Sequence, residues 1–199
     1  GIIMEGGSVE FNGDGALMTS ESCLLNPNRN PGYSRIEIEA QLQSGLAVKK
    51  VHWLDGCIEG DDTDGHIDNL VRFFKPNGVL VASARDKNDS NHDVLSGLER
   101  QCRELVLSTG ESLEVRLLPL PEPRLNGKRR LPMSYLNFFV ANQALILPSF
   151  GQEGPDSQAR EIVSEAFPDR EVLSIDCQEL IMEGGALHCL TQQVPQTRL

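Results

Sequence analysis

The chain has 199 residues, 39% of them hydrophobic, and sets 29 acidic against 18 basic side chains for a formal net charge of −11, so it has enough apolar material for one sizeable core. Its single dense basic cluster, Lys128-Arg129-Arg130, has no aromatic residues interleaved, which excludes nucleic acid and anionic membrane as favoured partners and suits a small cation. Five cysteines at irregular spacing, with no C-x-x-C pair, argue against a disulfide framework and a structural zinc site; no leader pattern or membrane-long apolar run is read, so the expected location is the cytoplasm.

In chain order, two short strand patterns joined by a turn recur three times, each followed by a helix pattern and a further strand. The first set is 8–11 and 16–19 around Asn12-Gly13-Asp14-Gly15, then a helix over 34–46 with Ile38, Leu42 and Leu46 at four-residue spacing, then a strand over 48–54. Asn-Gly and Asp-Gly pairs supply the positive φ that tight hairpins need. The second set is 70–74 and 79–82 around Pro76-Asn77-Gly78, a helix over 92–108 with the apolar face Leu95, Leu98, Cys102, Leu105 and Val106, and a strand over 113–118. A proline-stiffened surface loop over 119–130 follows. The third set is 135–140, 144–148, a helix over 156–167 carrying Ala159, Ile162, Val163 and Ala166, and a strand over 171–175.

These patterns predict one α/β domain over 1–199, with ββαβ repeat units at about 1–55, 69–118 and 134–176 and a lone closing strand over 186–192. The chain starts directly on a strand-like run, and the last strand has no hairpin of its own. Repeat architectures bury their faces against neighbouring units, so the expectation is a domain incomplete at its N-terminus.

The phrase Ile-Met-Glu-Gly-Gly occurs twice, at 3–7 and at 181–185, and the second copy runs into Ala186-Leu187-His188-Cys189. Cys189 therefore follows a glycine turn where backbone can approach a ligand, whereas Cys23, Cys57, Cys102 and Cys177 read as small buried hydrophobes. In Asp64-Gly65-His66-Ile67-Asp68 an extended backbone would put His66 and Asp68 on one side. There a histidine can shuttle protons and an aspartate can grip a cation; the alternative is an acidic turn with a solvated or capping histidine. Glu5, ahead of its two glycines, either orients His66 or satisfies backbone N–H groups at a turn. Neither a dinucleotide fingerprint nor a G-x-S-x-G elbow is present.

Several of these segments together resemble the agmatine deiminase family, within the bacterial-type peptidylarginine deiminase superfamily. They are Glu5-Gly6-Gly7, Cys23-Leu24-Leu25-Asn26-Pro27-Asn28-Arg29-Asn30-Pro31, Asp62-Thr63-Asp64-Gly65-His66-Ile67-Asp68-Asn69, Ser134-Tyr135-Leu136-Asn137-Phe138, Phe167-Pro168-Asp169-Arg170, and Gly184-Gly185-Ala186-Leu187-His188-Cys189-Leu190-Thr191-Gln192-Gln193-Val194-Pro195. The resemblance implies the α/β pentein fold, a propeller of five ββαβ units, of which about three would be present as a C-terminal part. It implies Cys189 as nucleophile, His66 as general acid and base, Glu5 as its carboxylate partner, and Asp68 as both a catalytic residue and the substrate-binding guanidinium ligand. It further implies no cofactor and no metal, agmatine as the small guanidino substrate, hydrolysis to N-carbamoylputrescine and ammonia in putrescine and polyamine biosynthesis, and a possible homo-oligomer. Two departures are visible: the family's upstream Trp-x-Arg-Asp-x-Gly-Pro segment is lacking, and Ala186 stands where Asn is usual. Deimination of peptidyl-arginine or another guanidino compound, and a truncated non-catalytic fragment, remain as alternatives.

Overall fold

A computed structural model of the chain describes residues 1–193, so Val194 and Pro195 at the end of the last motif lie outside the described residues. Three three-stranded sheets repeat one plan. In the first, β1 (Val9–Phe11) pairs antiparallel with β2 (Ala16–Ser20); after the single turn α1 (Glu21–Leu24) and the helix α2 (Arg35–Leu46), β3 (Lys50–Leu54) pairs parallel with β2. In the second, β4 (Val71–Lys75), β5 (Gly78–Ser83), α3 (His92–Glu104) and β6 (Glu114–Pro119) follow the same order. After the small hairpin of β7 (Leu125–Asn126) and β8 (Arg129–Arg130), the third sheet is built from β9 (Phe139–Val140), β10 (Ala144–Ser149), α4 (Glu153–Ala166) and β11 (Glu171–Asp176). The central strand of each sheet pairs antiparallel on one side and parallel on the other, and the parallel return requires the crossover helix.

Local chemistry sets the helix limits. Ser34 caps α2 in a reciprocal box, its hydroxyl accepting from the Glu37 amide at 3.4 Å and its own amide donating to Glu37 Oε2 at 2.8 Å. Helix α3 stops at Glu104, four residues before the predicted end, because Val106 bridges back to Ser112 across a turn with Gly110 at φ +85°. Leu105 and Val106 therefore leave the apolar face, which is Leu95, Leu98 and Cys102. Helix α4 begins earlier than predicted, at Glu153, because Pro155 sits in the first turn, where a missing N–H costs nothing. The Asp156 carboxylate accepts from the Gln152 amide at 2.9 Å, the Phe150 amide at 3.1 Å and the Tyr135 hydroxyl at 2.6 Å, and so anchors that start.

Other expectations are corrected. Residues 1–5 form no strand; the Asn30 side chain takes a strand's place, accepting from the Ile3 amide at 2.7 Å and donating to the Ile3 carbonyl at 3.0 Å. The 119–130 stretch is not all loop, since β7 and β8 close a hairpin over Gly127 at φ +62°. The expected closing strand over 186–192 is instead a 3-10 turn, His188–Leu190. Its amides are drawn to Asn137: His188 N–H lies 3.1 Å from the Asn137 carbonyl oxygen and 3.0 Å from its Oδ1, which folds the segment over the site rather than along a sheet edge.

The apolar core runs through the second and third units and reaches Met18 and Leu54 of the first, while a satellite cluster of Val9, Leu17, Leu24, Ile38, Leu42 and Val51 lies under α2. A buried ion pair joins all three units: Arg72 Nε donates to Glu10 Oε2 at 2.9 Å, and its NH1 donates to the Leu136 and Phe138 carbonyls at 2.9 and 2.8 Å. Among the described residues no helix is long and apolar enough to cross a membrane.

Candidate active site

Where the first two units meet, residues 61–69 fold into a tight acidic loop followed by the 3-10 turn Ile67–Asn69. Asp64 and Gly65 both take positive φ, at 65° and 89°. A side chain at Gly65 would come within 2.6 Å of the Gly56 carbonyl oxygen, so only glycine fits there. The segment is not the extended run that sequence spacing suggested. The turn nonetheless brings His66 and Asp68 together beside Gly7, where a Cβ would stand 2.6 Å from His66 Nδ1 and 2.7 Å from Asp68 Oδ2. The glycine of the first Glu-Gly-Gly copy is thus the floor on which both side chains rest.

Glu5, directly before that floor, directs its two oxygens differently. Oε1 accepts from Arg29 Nε at 2.9 Å, and Oε2 lies 3.6 Å from His66 Nε2. Arg29 also donates from NH1 to the Cys23 carbonyl at 3.0 Å and to Asp64 Oδ2 at 3.2 Å, and from NH2 to the Thr63 carbonyl at 3.1 Å. One guanidinium therefore holds Glu5 and the acidic loop in register. Burial raises the Glu5 carboxyl, yet the hydrogen bond and charge of Arg29, with His66 adding to them, overrule it and hold the group below its ordinary range.

Cys189 arrives from the far side on the turn that follows Gly184, itself at φ +97°. The residue is exposed as a whole, but its sulfur points inward, 3.2 Å from the Nδ2 of Asn137 and 3.8 Å from Asp68 Oδ2. Burial and the Asp68 carboxylate push its thiol up to about 11 against the opposing hydrogen bond from Asn137, so at rest this is a thiol. Burial likewise raises Cys23 and Cys102 to about 12 each and Cys57 to about 11. A low resting pKa is therefore not what sets Cys189 apart; its neighbours are.

Glu5, His66, Asp68 and Cys189, the four residues singled out in the sequence, all line one cavity of ≈ 430 Å³ together with Gly7, Asp62, Glu183, Gly185 and His188. Sequence reasoning missed three contributors. His188 is buried with Nδ1 2.8 Å from Asp68 Oδ2, so Asp68 bridges it to Cys189. Asn137 accepts from the His188 amide, donates to the Cys189 sulfur and donates to Asn69 Oδ1 at 3.1 Å. Arg29 was visible only as part of a motif. Asn137 too was visible only within a motif, and a polar residue between Leu136 and Phe138 was the local signal that could have singled it out.

The cavity is short of hydrogen-bond donors. Of its lining residues, Glu5 Oε2, Asp68 Oδ1 and His66 Nε2 are buried and have no hydrogen-bond partner among the described residues. No Lys or Arg is among the described residues of its wall. Such a cavity suits a planar cation rich in N–H groups.

The family profile described as Porphyromonas-type peptidyl-arginine deiminase matches residues 1–195. Agmatine deiminase of Pseudomonas fluorescens (strain SBW25) is 38% identical over 213 residues, covering 98% of this chain and 58% of that protein. Among solved structures, the chain is similar to agmatine deiminase of Enterococcus faecalis, with a TM-score of 0.92 at 30% identity over 98% of this chain and 58% of the other. A substrate-bound cysteine-to-serine variant of C. jejuni agmatine deiminase gives a TM-score of 0.88 at 34% identity, covering 95% of this chain and 55% of that one. The chain thus spans a little over half the length of these relatives, and its three ββαβ units are about three of the five of the α/β pentein fold. An amidinotransferase of Microseira wollei, at 14% identity and a TM-score of 0.58, shares the fold alone. Backbone, motif order and the convergence of acid, imidazole and thiol on one cavity agree, and this chain belongs to the Porphyromonas-type peptidyl-arginine deiminase family, in the company of agmatine deiminases.

Proposed function

We propose that the chain carries the catalytic half of an agmatine deiminase, a hydrolase acting on a C–N bond of a linear amidine. The observation that carries this reading is the donor-poor cavity, in which buried carboxylate oxygens of Glu5 and Asp68 lack partners and no Lys or Arg lines the wall among the described residues. A guanidinium supplies the missing N–H donors and charge. Arginine would also bring an α-carboxylate into a wall that already holds Asp62, Asp68 and Glu183. Agmatine lacks that carboxylate, and its ammonium end suits the acidic rim.

Asp68 Oδ1 grips the guanidinium, and the substrate's positive charge lowers the Cys189 thiol from its resting value so that the thiolate forms in the complex. The sulfur adds to the guanidinium carbon and the released thiol proton passes to His66. The tetrahedral adduct collapses as His66 returns a proton to the departing nitrogen, which leaves as ammonia. The product of this half is an amidino-thioether on Cys189. Water, deprotonated by His66, then adds to the same carbon; breakage of the C–S bond releases N-carbamoylputrescine and returns the Cys189 thiol. Glu5 holds His66 from behind, and the product would feed polyamine biosynthesis.

The test is ammonia release from agmatine, arginine and a peptidyl-arginine by the purified protein. The reading expects the highest kcat/KM for agmatine; a higher value for either arginine compound would move the assignment to a related deiminase. Cys189→Ser and His66→Ala should each abolish turnover, with agmatine binding retained in the latter.

A further inference from the structure

Behind the cavity wall, Glu5 and His66 meet a third donor that the deiminase chemistry does not use. A carboxylate oxygen of Glu5, a ring nitrogen of His66 and the sulfur of Cys23 all lie within 4.8 Å of one another, and among the described residues no other trio of histidine, cysteine or acidic donors is as tight. Cys23 is 0% and His66 8% exposed. His66 Nε2 and Glu5 Oε2 are both buried without a hydrogen-bond partner among the described residues and stand 3.6 Å apart. Asp61 and Asp64 add negative charge near the Cys23 sulfur, and the opposing cation, Arg29, is occupied by Glu5 Oε1, Asp64 and two carbonyls.

The geometry points to a site for one borderline-soft divalent cation of the Zn²⁺ class, held by Glu5, Cys23 and His66, whose occupation withdraws His66 from catalysis. One nitrogen, one oxygen and one sulfur donor form a set that zinc accepts readily, and bonds of about 2.0 to 2.3 Å place tetrahedral ligands about 3.5 Å apart. Glu5 and His66, at 3.6 Å, already have that spacing. The Cys23 sulfur lies within 4.8 Å of both, and a small side-chain rotation brings it into bonding range. Glu5 and His66 line the cavity, so the ion has an entry path and a water can fill its fourth position. Binding replaces the Cys23 S–H bond by a sulfur–metal bond and releases one proton to solvent.

The metal site stands on geometry alone, whereas its inhibitory effect rests on the proposed role of His66. Both are tested with Co²⁺ and Zn²⁺ on the purified protein. Titration with Co²⁺ is expected to give one bound ion and a sulfur-to-metal charge-transfer band that survives in Cys189→Ser and disappears in Cys23→Ser, with zinc affinity falling more than about tenfold in the latter. Glu5→Gln, which perturbs a partly exposed side chain, should weaken Co²⁺ binding but keep the band, so the site remains testable if Cys23 variants fold poorly. Absence of the band in the unaltered protein, or its loss in Cys189→Ser and persistence in Cys23→Ser, overturns the site. Zn²⁺ should inhibit agmatine turnover reversibly, and Cys23→Ser should stay active and resist that inhibition. Binding at Cys23 without inhibition would overturn the inhibitory half and count against His66 as the acid–base group, while leaving the substrate assignment untouched.

Discussion

Nδ1 of His188 lies 2.8 Å from Oδ2 of Asp68, with their side chains 3% and 0% exposed. The same carboxylate oxygen is 3.8 Å from the Cys189 sulfur, so the residue preceding the proposed nucleophile fixes the carboxylate proposed to grip the substrate. His188→Ala removes a partner from a buried charge and should cost about 3–5 kcal/mol of stability. His188→Asn can present an amide N–H near the Nδ1 position and should recover most of it. Chemical denaturation measures the first effect; kcat/KM for agmatine, expected to fall roughly a hundredfold in the alanine variant from misplacement of Asp68, measures the second.

Asn137 separates positioning from stability. Asn137→Ala takes an acceptor from the His188 and Cys189 amides and should destabilise the chain by about 1–3 kcal/mol. In Asn137→Asp the acceptor stays, but the donor to the Cys189 sulfur is replaced by a second negative charge. Its thiol should rise further, and turnover should fall by a larger factor than in the alanine variant. Turnover followed across the alkaline range, beside thermal melts, reads the two losses apart.

Alkylation should depend on the charge of the reagent more than on the cysteine. The Cys189 thiol, at about 11, is mostly protonated near neutral pH, so uncharged iodoacetamide should label it slowly. A haloacetamidine, being a planar cation, should label Cys189 well ahead of Cys23, Cys57, Cys102 and Cys177 if Asp68 binds it first, as proposed. Peptide mapping gives the ranking. Equal rates for the two reagents at Cys189 would remove the argument for a thiolate formed in the substrate complex.

Acid stability should be governed partly by Asp89. Its two oxygens take parallel hydrogen bonds from Arg130 at 2.7 and 2.8 Å, the paired side chains are 10% and 8% exposed, and Arg130 holds the carboxyl below its ordinary range. A carboxyl depressed on folding contributes stability above its unfolded pKa, and that contribution is lost as pH falls through the folded value. Glu5 acts with the same sign and Asp61, raised by burial, with the opposite one. Melting temperature should therefore fall on acidification below the normal carboxylate range, and the fall should be shallower in Asp89→Asn, which starts from a lower stability.

How much of this was legible depended on whether a signal was local. Hairpins marked by Asn-Gly, the start of α2 near Ser34 and the helical spacing of Leu95, Leu98 and Cys102 could be read because their causes lie within a few residues. Glu5, His66, Asp68 and Cys189 stood out through motif composition. The 3-10 turn at His188–Leu190 was not legible, because its cause is Asn137, some fifty positions away, and a short apolar stretch looks the same whether it lies along a sheet or curls over a cavity. The Arg130–Asp89 clasp was hidden for the same reason: Lys128-Arg129-Arg130 reads as a solvated basic cluster, yet Arg130 is buried and Arg129 pairs with Asp62 at 2.8 Å.

The guanidinium of Arg72 takes a carboxylate from one unit and two carbonyl oxygens from another. Peeling the first unit away would strand a bare charge in an apolar seam and peeling the third would strip Arg72 of two carbonyl partners, so the fold has no inexpensive half-open form among its described units. Repeat chains usually fray from their ends one module at a time. Here amide exchange in the three sheets should share one rate-limiting opening, and an insertion that shifts β4 by one residue should loosen the whole molecule rather than its own module.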